Sequence, residues 1–422
     1  MRVAHLLRKY DPSEWGGTES AVLQLTADMA KHGVESFVYA PRLAPGTAPA
    51  DPIAAAGCTV RRFRARVPVW GISSERRSQL VAVGGNVISF GLIGSLLREK
   101  KIDVIHSHAQ GRLGAIGRVV ARGRRLPFVI SIHGGAYDLP AAVFQELRRA
   151  AAGSWDWGRP LGLMLRARHL LDQADAIIAF NPREVALIRE RHPGRRVLLE
   201  PHGVPTALFA RESRRAATEA YPGLGNRPVL VILGRIDPIK NQDWLVGEVA
   251  ELARRHPRIL LVFVGACTNR EYGAALEARI KREGLRDLVM LVGSLPFGDA
   301  RLIGLLQEAR ALVLPSVSET FGMVILEAWA AGTPVISSRT SGAAALVEDG
   351  ANGLLFDLDR PASFHSAVDQ ILAQPELAAR WGAAGRDKAV AEFDTSVRAD
   401  RMKRLYGHLI EEKNALRHTQ GR

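Results

Sequence analysis

A chain of 422 residues, 47% hydrophobic and 24% charged, with a mean hydropathy of −0.01, is long enough for two hydrophobic cores, and its composition excludes the disordered and collagen-like classes. The formal net charge of +14 is unevenly spread: residues 1–205 carry 29 Lys+Arg against 17 Asp+Glu, a balance of +12, which leaves 28 against 26, or +2, for residues 206–422. A basic first half attracts anions, and charge alone does not choose among nucleic acid, phospholipid head groups and a phosphorylated acceptor.

Cys58 and Cys267 lie far apart beside strand-like residues, which supports neither a disulfide framework nor a zinc site and fits a reducing cytoplasm. The first residues, "MRVAHLLRKYDPSEWGG", have a short apolar core broken by charge and no small-residue cleavage pattern, so no signal peptide is expected. The apolar runs are too short to span a bilayer. Membrane contact, where it occurs, is therefore expected to be peripheral, on the inner face of the cell membrane.

Along the chain, "RVAHLL", "SFVYAP", "CTVRRF", "IDVIHSH", "PFVISIHG", "DAIIAFN" and "RVLLEPHG" alternate with longer helix-forming stretches. Continuous apolar strands between helices predict βαβ units and a doubly wound parallel sheet. Gly16 and Gly17 follow the first strand, where they serve either a plain tight turn or a close approach of backbone to a phosphate or sugar. His133 ends the strand "PFVISIH" ahead of Gly134 and Gly135, and His108 ends "IDVIHSH". Each is a structural histidine or a group facing a cleft.

Residues 139–170 break the rhythm. Phe144, Leu147, Trp155, Trp157, Leu161, Leu163, Met164 and Leu165 mix with Arg148, Arg149, Arg159, Arg166 and Arg168. The segment reads as helices packing on their own domain or as a surface meeting lipid head groups, and periodicity does not separate the two.

After Pro205 and a polar, turn-rich stretch the architecture restarts with "VLVILGR", "ILLVFVG", "LVMLVGS", "ALVLPS", "PVISS" and "GLLFD". Two α/β domains, 1–205 and 206–395, are expected, with function on the loops after strands. The segment 396–422 carries apolar Val397, Met402, Leu405, Tyr406 and Leu409 at a spacing that suits an amphipathic helix.

Two motifs in the second half carry chemistry. "LGRIDPIKN" follows the strand "VLVIL" and sets Arg235 and Lys240 five residues apart on a turn. A guanidinium fork and a mobile ammonium suit a diphosphate that gains negative charge as it leaves. "SETFGMVILEAWAAGTP" follows the strand "ALVLPS" and predicts a helix from Phe321 to Ala331, stopped by Gly332 and Pro334. Its first turn offers unpaired N–H groups to a phosphate, Gly322 admits close approach, Glu319 lies in the preceding loop and Glu327 about two turns inside. The plainer reading is a capped surface helix with two incidental acids.

Glu319 and Glu327, with seven residues between them, together with "GRIDPIK", resemble the signature of family 4 glycosyltransferases, retaining enzymes of the GT-B fold that use nucleotide-diphosphate sugars. The resemblance extends over nearly the whole chain through "WGGTE", "DVIHSH", "SIHGG" and "PHGVP". It implies two Rossmann-like domains facing across a cleft, with 396–422 as a helix crossing back onto the first. It implies that Arg235 and Lys240 neutralise the diphosphate, that Glu319 binds donor-sugar hydroxyls, and that amides at Phe321, Gly322, Met323 and Val324 meet phosphate or sugar. Glu327 would take the ribose, and Gly293, Ser294 and Leu295 would contact the base or form a simple turn. Gly16 and Gly17 would approach the donor, and His133 would donate a hydrogen bond to the transferred sugar.

A hexosyl transfer with retention, no cofactor and no metal is the implied activity, the acceptor being a saccharide or lipid-linked hydroxyl in cell-surface polysaccharide, lipopolysaccharide or glycolipid synthesis. The alternatives are a GT-B nucleotide-sugar epimerase or phosphorylase, or a non-catalytic basic protein on anionic lipid or nucleic acid. Residues for acid–base epimerisation or a pyridoxal lysine are not visible, and nucleic acid is not the expected partner.

Overall fold

The computed structural model describes residues 1–12, 17–43, 51–71, 87–133, 137–138 and 155–420. The chain divides into two compact units, Met1–Pro201 with Ser396–Arg422, and His202–Thr395.

The first unit is built on a seven-stranded parallel sheet in the order β3-β2-β1-β5-β6-β8-β9. Its strands are β1 (Arg2–Leu6), β2 (Glu35–Pro41), β3 (Thr59–Phe63), β5 (Val104–Ser107), β6 (Phe128–Ser131), β8 (Ala176–Ala179) and β9 (Val197–Leu199). These are the seven runs read from sequence. Helices cover both faces, so β5, β6 and β8 are buried along their length and need no polar alternation. A two-residue ribbon, β4 (Val69–Trp70) against β7 (Trp155–Asp156), stands apart from the sheet.

The second unit repeats the plan with six parallel strands in the order β12-β11-β10-β13-β14-β15. They are β10 (Val229–Leu233), β11 (Leu260–Val264), β12 (Val289–Gly293), β13 (Ala311–Leu314), β14 (Val335–Ser338) and β15 (Leu354–Phe356). All five side chains of both β10 and β11 are buried. At roughly 1.5–3 kcal/mol for each large aliphatic side chain removed from water, such strands anchor the core. The stretch after Pro205, read as polar and turn-rich, contains the short helices Thr206–Phe209 and Arg214–Ala220, the latter packed on the helix Ala300–Glu308.

Both sheets change direction of strand succession at one point, between β1 and β5 and between β10 and β13. In an open parallel sheet the crevice beyond the carboxyl ends at such a point is where ligands bind.

The closing helix spans Thr395–Gln420. From Ser396 on it belongs to the first unit, tied there by Arg196–Glu412, Arg401–Glu200 and Lys413–Asp175 pairs. Ala399, Met402, Tyr406 and Leu409 are buried as an i, i+3, i+4 stripe, but its N-terminal member is not Val397. Arg398, one residue on and four before Met402, is the buried side chain, 2% exposed, while Val397 is only half-buried.

Candidate functional site

In the second unit the two motif loops leave the adjacent strands β10 and β13 side by side. Asp237 organises the first: its Oδ1 accepts from the backbone N–H groups of Ile239 (3.0 Å) and Lys240 (3.1 Å), and its Oδ2 lies 3.0 Å from Arg235 Nη2. A short polar side chain closing its own turn is the ordinary use of Asp at such a position. The amide of Gln242 donates to Arg235 O at 2.7 Å and fixes the loop from the other side. The second loop is sewn to the first by Val317 N–H donating to Ile239 O at 2.8 Å.

Lys240 Nζ pairs with Glu319 Oε1, both side chains mostly buried, and Ser316 Oγ donates to the same oxygen at 3.2 Å. Arg235 and Lys240 therefore each have a carboxylate partner, one local and one from the neighbouring strand. The Arg235 side chain keeps 43% of its surface exposed, so its guanidinium face is available to a further anion.

The helix after Glu319 begins two residues later than its sequence suggests. It runs Met323–Ala330, because Gly322 adopts φ +93°, a left-handed conformation that ends the loop and that glycine alone takes cheaply. Phe321 is buried, edge-on to His202 at 5.2 Å, and acts as the loop's anchor. Among the described residues no side chain caps the helix start, which leaves first-turn N–H groups at Met323 and Val324 with the positive end of the dipole. The far end follows expectation: Gly332, φ +82°, donates to Trp329 O and Thr333 to Ala328 O, the paired bonds of a Schellman stop. Gly342 underlies the loop, donating to Glu319 O at 2.8 Å.

Glu327 sits in the second turn, 7% exposed, and burial alone pushes its carboxyl up to about 8. Gly293 is the last residue of β12, φ +79°, and its carbonyl accepts from Gly265 N–H at 2.8 Å, so it is strand end as well as turn. Ser294 and Leu295 follow it, beyond the same edge of the sheet as the other loops.

In the first unit, Gly16 and the segment 139–154 with Phe144, Leu147, Arg148 and Arg149 lie outside the described residues. Gly17 opens the helix Gly17–Lys31, the next element after β1. His133 follows β6 and is held by His108, Nε2 to Nδ1 at 2.8 Å. His108 in turn meets His5 Nδ1 through Nε2 at 3.1 Å. His106 bonds Tyr406 Oη at 2.6 Å and Ser131 Oγ at 2.7 Å. Burial first, and then neighbouring positive charge including the buried Arg398, hold these imidazoles below the ordinary histidine range, His5 and His133 to about 3. All four are neutral at physiological pH. Sequence reading singled out His133 and His108 but passed over His5, His106, Arg398 and Asp237.

Nearby, Gln110, Gly111, Tyr137, Ala167, Arg168, Leu170 and Leu171 line a cavity of about 150 Å³. The ribbon stacks Trp70 on Trp155 with centroids 5.2 Å apart, and both rings are more than half exposed. Leu163 and Met164, on the short helix Arg159–Met164, are also exposed, whereas Leu165 is buried and Leu161 packs against the core. The 155–170 stretch is thus divided between core and surface.

The family model for glycosyl transferases group 1 matches residues 214–388, and that for a glycosyl transferase 4-like domain matches residues 16–203. The D-inositol 3-phosphate glycosyltransferase 2 of Catenulispora acidiphila is 30% identical over 415 residues, 96% of this chain and 93% of that one. A D-inositol 3-phosphate glycosyltransferase of Streptomyces scabiei is 30% identical over 91% of this chain and 85% of its own length. Among solved structures, sucrose-phosphate synthase from Thermosynechococcus elongatus superposes with a TM-score of 0.73 at 24% identity, covering 97% of this chain and 99% of that one. Anabaena HepE in complex with UDP and glucose gives 0.72 at 18% identity over 97% and 100%. With both halves matched by their family models and a full-length relative at 30% identity, the chain belongs to the family 4 glycosyltransferases and has their GT-B fold of two Rossmann-like units.

Proposed function

We propose that this protein transfers a hexosyl residue, with retention and without a metal, from a nucleotide-diphosphate sugar to a hydroxyl of a saccharide or lipid-linked acceptor. The observation that carries the reading is the grouping of Arg235, Lys240, Glu319, an uncapped helix start and buried Glu327 beyond the carboxyl ends of β10 and β13. Arg235, Lys240 and the amides from Phe321 to Val324 stabilise the departing diphosphate, whose bond to the anomeric carbon breaks. The acceptor oxygen then bonds that carbon on the same face and gives its proton to the departing phosphate oxygen. Glu319 holds donor-sugar hydroxyls, Glu327 the ribose, and Gly293, Ser294 and Leu295 the base. With two cations and a helix terminus to balance the diphosphate, a metal is not required.

The relatives named as D-inositol 3-phosphate glycosyltransferases favour a phosphorylated acceptor. The +12 balance of residues 1–205 supports that reading, and so does Arg168 at the cavity beside Gln110 and Tyr137. A second reading, an acceptor at an anionic membrane in surface glycolipid or polysaccharide synthesis, draws on exposed Trp70, Trp155, Leu163 and Met164 beside Arg159, Arg166 and Arg168. No helix among the described residues is long and apolar enough to cross a membrane.

The test is thermal stabilisation by UDP, GDP, ADP and dTDP and their sugar conjugates, with Arg235→Ala as control. One nucleotide shifting the wild type and failing to shift the control supports the donor site. No response from folded protein would refute it. With the donor known, turnover in EDTA and the anomeric configuration of the product by NMR test metal independence and retention.

A further inference from the structure

The two cations of the second unit's site are held by their carboxylates in different ways. Asp237 is locked into its own turn, its Oδ1 accepting from the Ile239 and Lys240 N–H groups. Arg235 presents a fork of N–H donors on a side chain 43% exposed, so an anion can join it without parting the pair. Lys240 and Glu319 differ on both counts. Their side chains are 17% and 11% exposed, and the ammonium is a point charge with no second face to offer. Among the described residues Lys240 Nζ and Ser316 Oγ both donate to Glu319 Oε1, and no donor reaches Oε2. The main chain fixes where this carboxylate stays: Gly342 N–H donates to Glu319 O at 2.8 Å, Ser341 Oγ donates to the same oxygen at 3.4 Å, and Ser338 Oγ donates to Ser316 O at 2.6 Å.

A diphosphate that draws on Lys240 therefore acts on Glu319 as well. Nζ either turns to the phosphate or divides its N–H groups between two anions. In both cases Glu319 loses part of its one ion-pair partner among the described residues, in a mostly buried place where an under-compensated charge is costly. Sugar hydroxyls restore the balance, because each brings an O–H donor that Oε2 can accept. A nucleotide that carries its sugar supplies the anion and these donors together. A nucleoside diphosphate supplies the anion alone.

We infer that the Lys240–Glu319 pair makes this site select the sugar-bearing nucleotide over the nucleoside diphosphate, with Glu319 as the discriminating residue and the same preference promoting product release. Both roles rest on the donor site proposed above and add a direction to it: Glu319 opposes the bare diphosphate and supports the conjugate. Once the sugar has gone to the acceptor its hydroxyls go with it, Glu319 again depends on Lys240, and the diphosphate left behind is the ligand held least.

The test is isothermal titration of the full chain with UDP, GDP, ADP and dTDP, and then with the conjugates of the responsive nucleotide to glucose, N-acetylglucosamine, galactose and mannose. In the wild type the best conjugate is expected to bind at least about tenfold more tightly than the diphosphate, the worth of a hydrogen bond to a charged group. Glu319→Gln keeps an oxygen for Lys240 and Ser316 and removes the charge. It should bind the diphosphate about fivefold more tightly and the conjugate more weakly, so that the two affinities converge. A variant that merely loosened the loop would weaken both. Wild-type conjugates that bind no better than the diphosphate would overturn the inference without use of any variant. Glu319→Gln that binds the diphosphate no better than the wild type would also overturn it. Either result leaves the donor site standing, whereas failure of every nucleotide to bind folded wild type would remove the donor site and the selection with it.

Discussion

Glu327→Gln should stabilise the protein while weakening the nucleotide site, and the stabilisation should depend on pH in a defined way. The wild-type carboxyl, buried among apolar side chains of the helix Met323–Ala330, holds its proton to about pH 8 in the folded state, whereas in the unfolded chain it ionises near 4.5. Between those values the unfolded state binds fewer protons than the folded state, so stability falls as pH rises. It is intact below 4.5, declines through neutrality and levels off above about 8. At about 1.36 kcal/mol per pH unit, the loss across this interval is on the order of 4 kcal/mol. The neutral amide of the variant cannot ionise and escapes it. Thermal or urea unfolding from pH 5 to 9 should give midpoints that nearly coincide at pH 5 and separate progressively. The gap at pH 8 should be ~8 °C or more, taking ~2–4 °C per kcal/mol for a unit of this size. In titrations of the responsive nucleotide near pH 7, the wild type should release protons as ribose hydroxyls draw the carboxylate into its charged form, and the variant should release none. Unfolding curves that stay parallel across the pH range would refute the buried, protonated carboxyl.

Gly342→Ala would bring a Cβ within 2.5 Å of Phe321 N and 2.6 Å of Glu319 O, both backbone, so ~2–3 kcal/mol of stability and the nucleotide-induced thermal shift should be lost together. A wild-type melt and shift would show that the loop yields more easily than its packing implies. Lys240→Met leaves the Glu319 carboxylate, 11% exposed, without its ammonium and should destabilise by ~1–3 kcal/mol. Adding Glu319→Gln should recover part of this in a double-mutant cycle, and strict additivity would argue that the pair does not interact. Trp155→Ser with Trp70→Ser should reduce co-sedimentation with anionic phosphatidylglycerol vesicles severalfold and leave nucleotide binding unchanged; undiminished vesicle binding would remove the ribbon from the membrane reading.

The sheet strands were legible because a parallel strand covered on both faces must be apolar at every position, and runs such as "VLVIL" and "LLVFV" show this without any tertiary information. The helix start at Met323 was misplaced by two residues because the left-handed backbone of Gly322 is a property of the loop's packing, and the local pattern of apolar residues continues through Phe321 regardless. Arg398 escaped because an arginine on an apolar stripe reads as its polar border. What buries it is the closing helix lying against its own unit, where Arg398 Nη1 donates to Ala21 O at 3.2 Å. His5 and His106 were invisible for a related reason. Each is one polar residue in a short strand, and only the pairing of β1 with β5 in the register His5 to His106 makes a cluster of them. Arg235, Lys240, Glu319 and Glu327 were accessible because each motif lies directly after a strand, so local order in the chain coincides with position at the sheet edge.

The two switch points have the same strand order and opposite chemistry, and the contrast bears on what each is for. Beyond β10 and β13 the groups are ionic and paired: Arg235 with Asp237, Lys240 with Glu319. On the function proposed above, a diphosphate there would meet a mostly buried Lys240 and a part-exposed Arg235, both oriented by their carboxylates. Beyond β1 and β5 the groups are imidazoles whose burial beside Arg398 suppresses their charge. Neutral rings cannot compensate a phosphate. The first arrangement suits charge that develops on a leaving group, and the second does not. Replacing Arg398 by methionine would separate them: with the cation gone the imidazoles should become easier to protonate, while the second unit's nucleotide-induced thermal shift is retained.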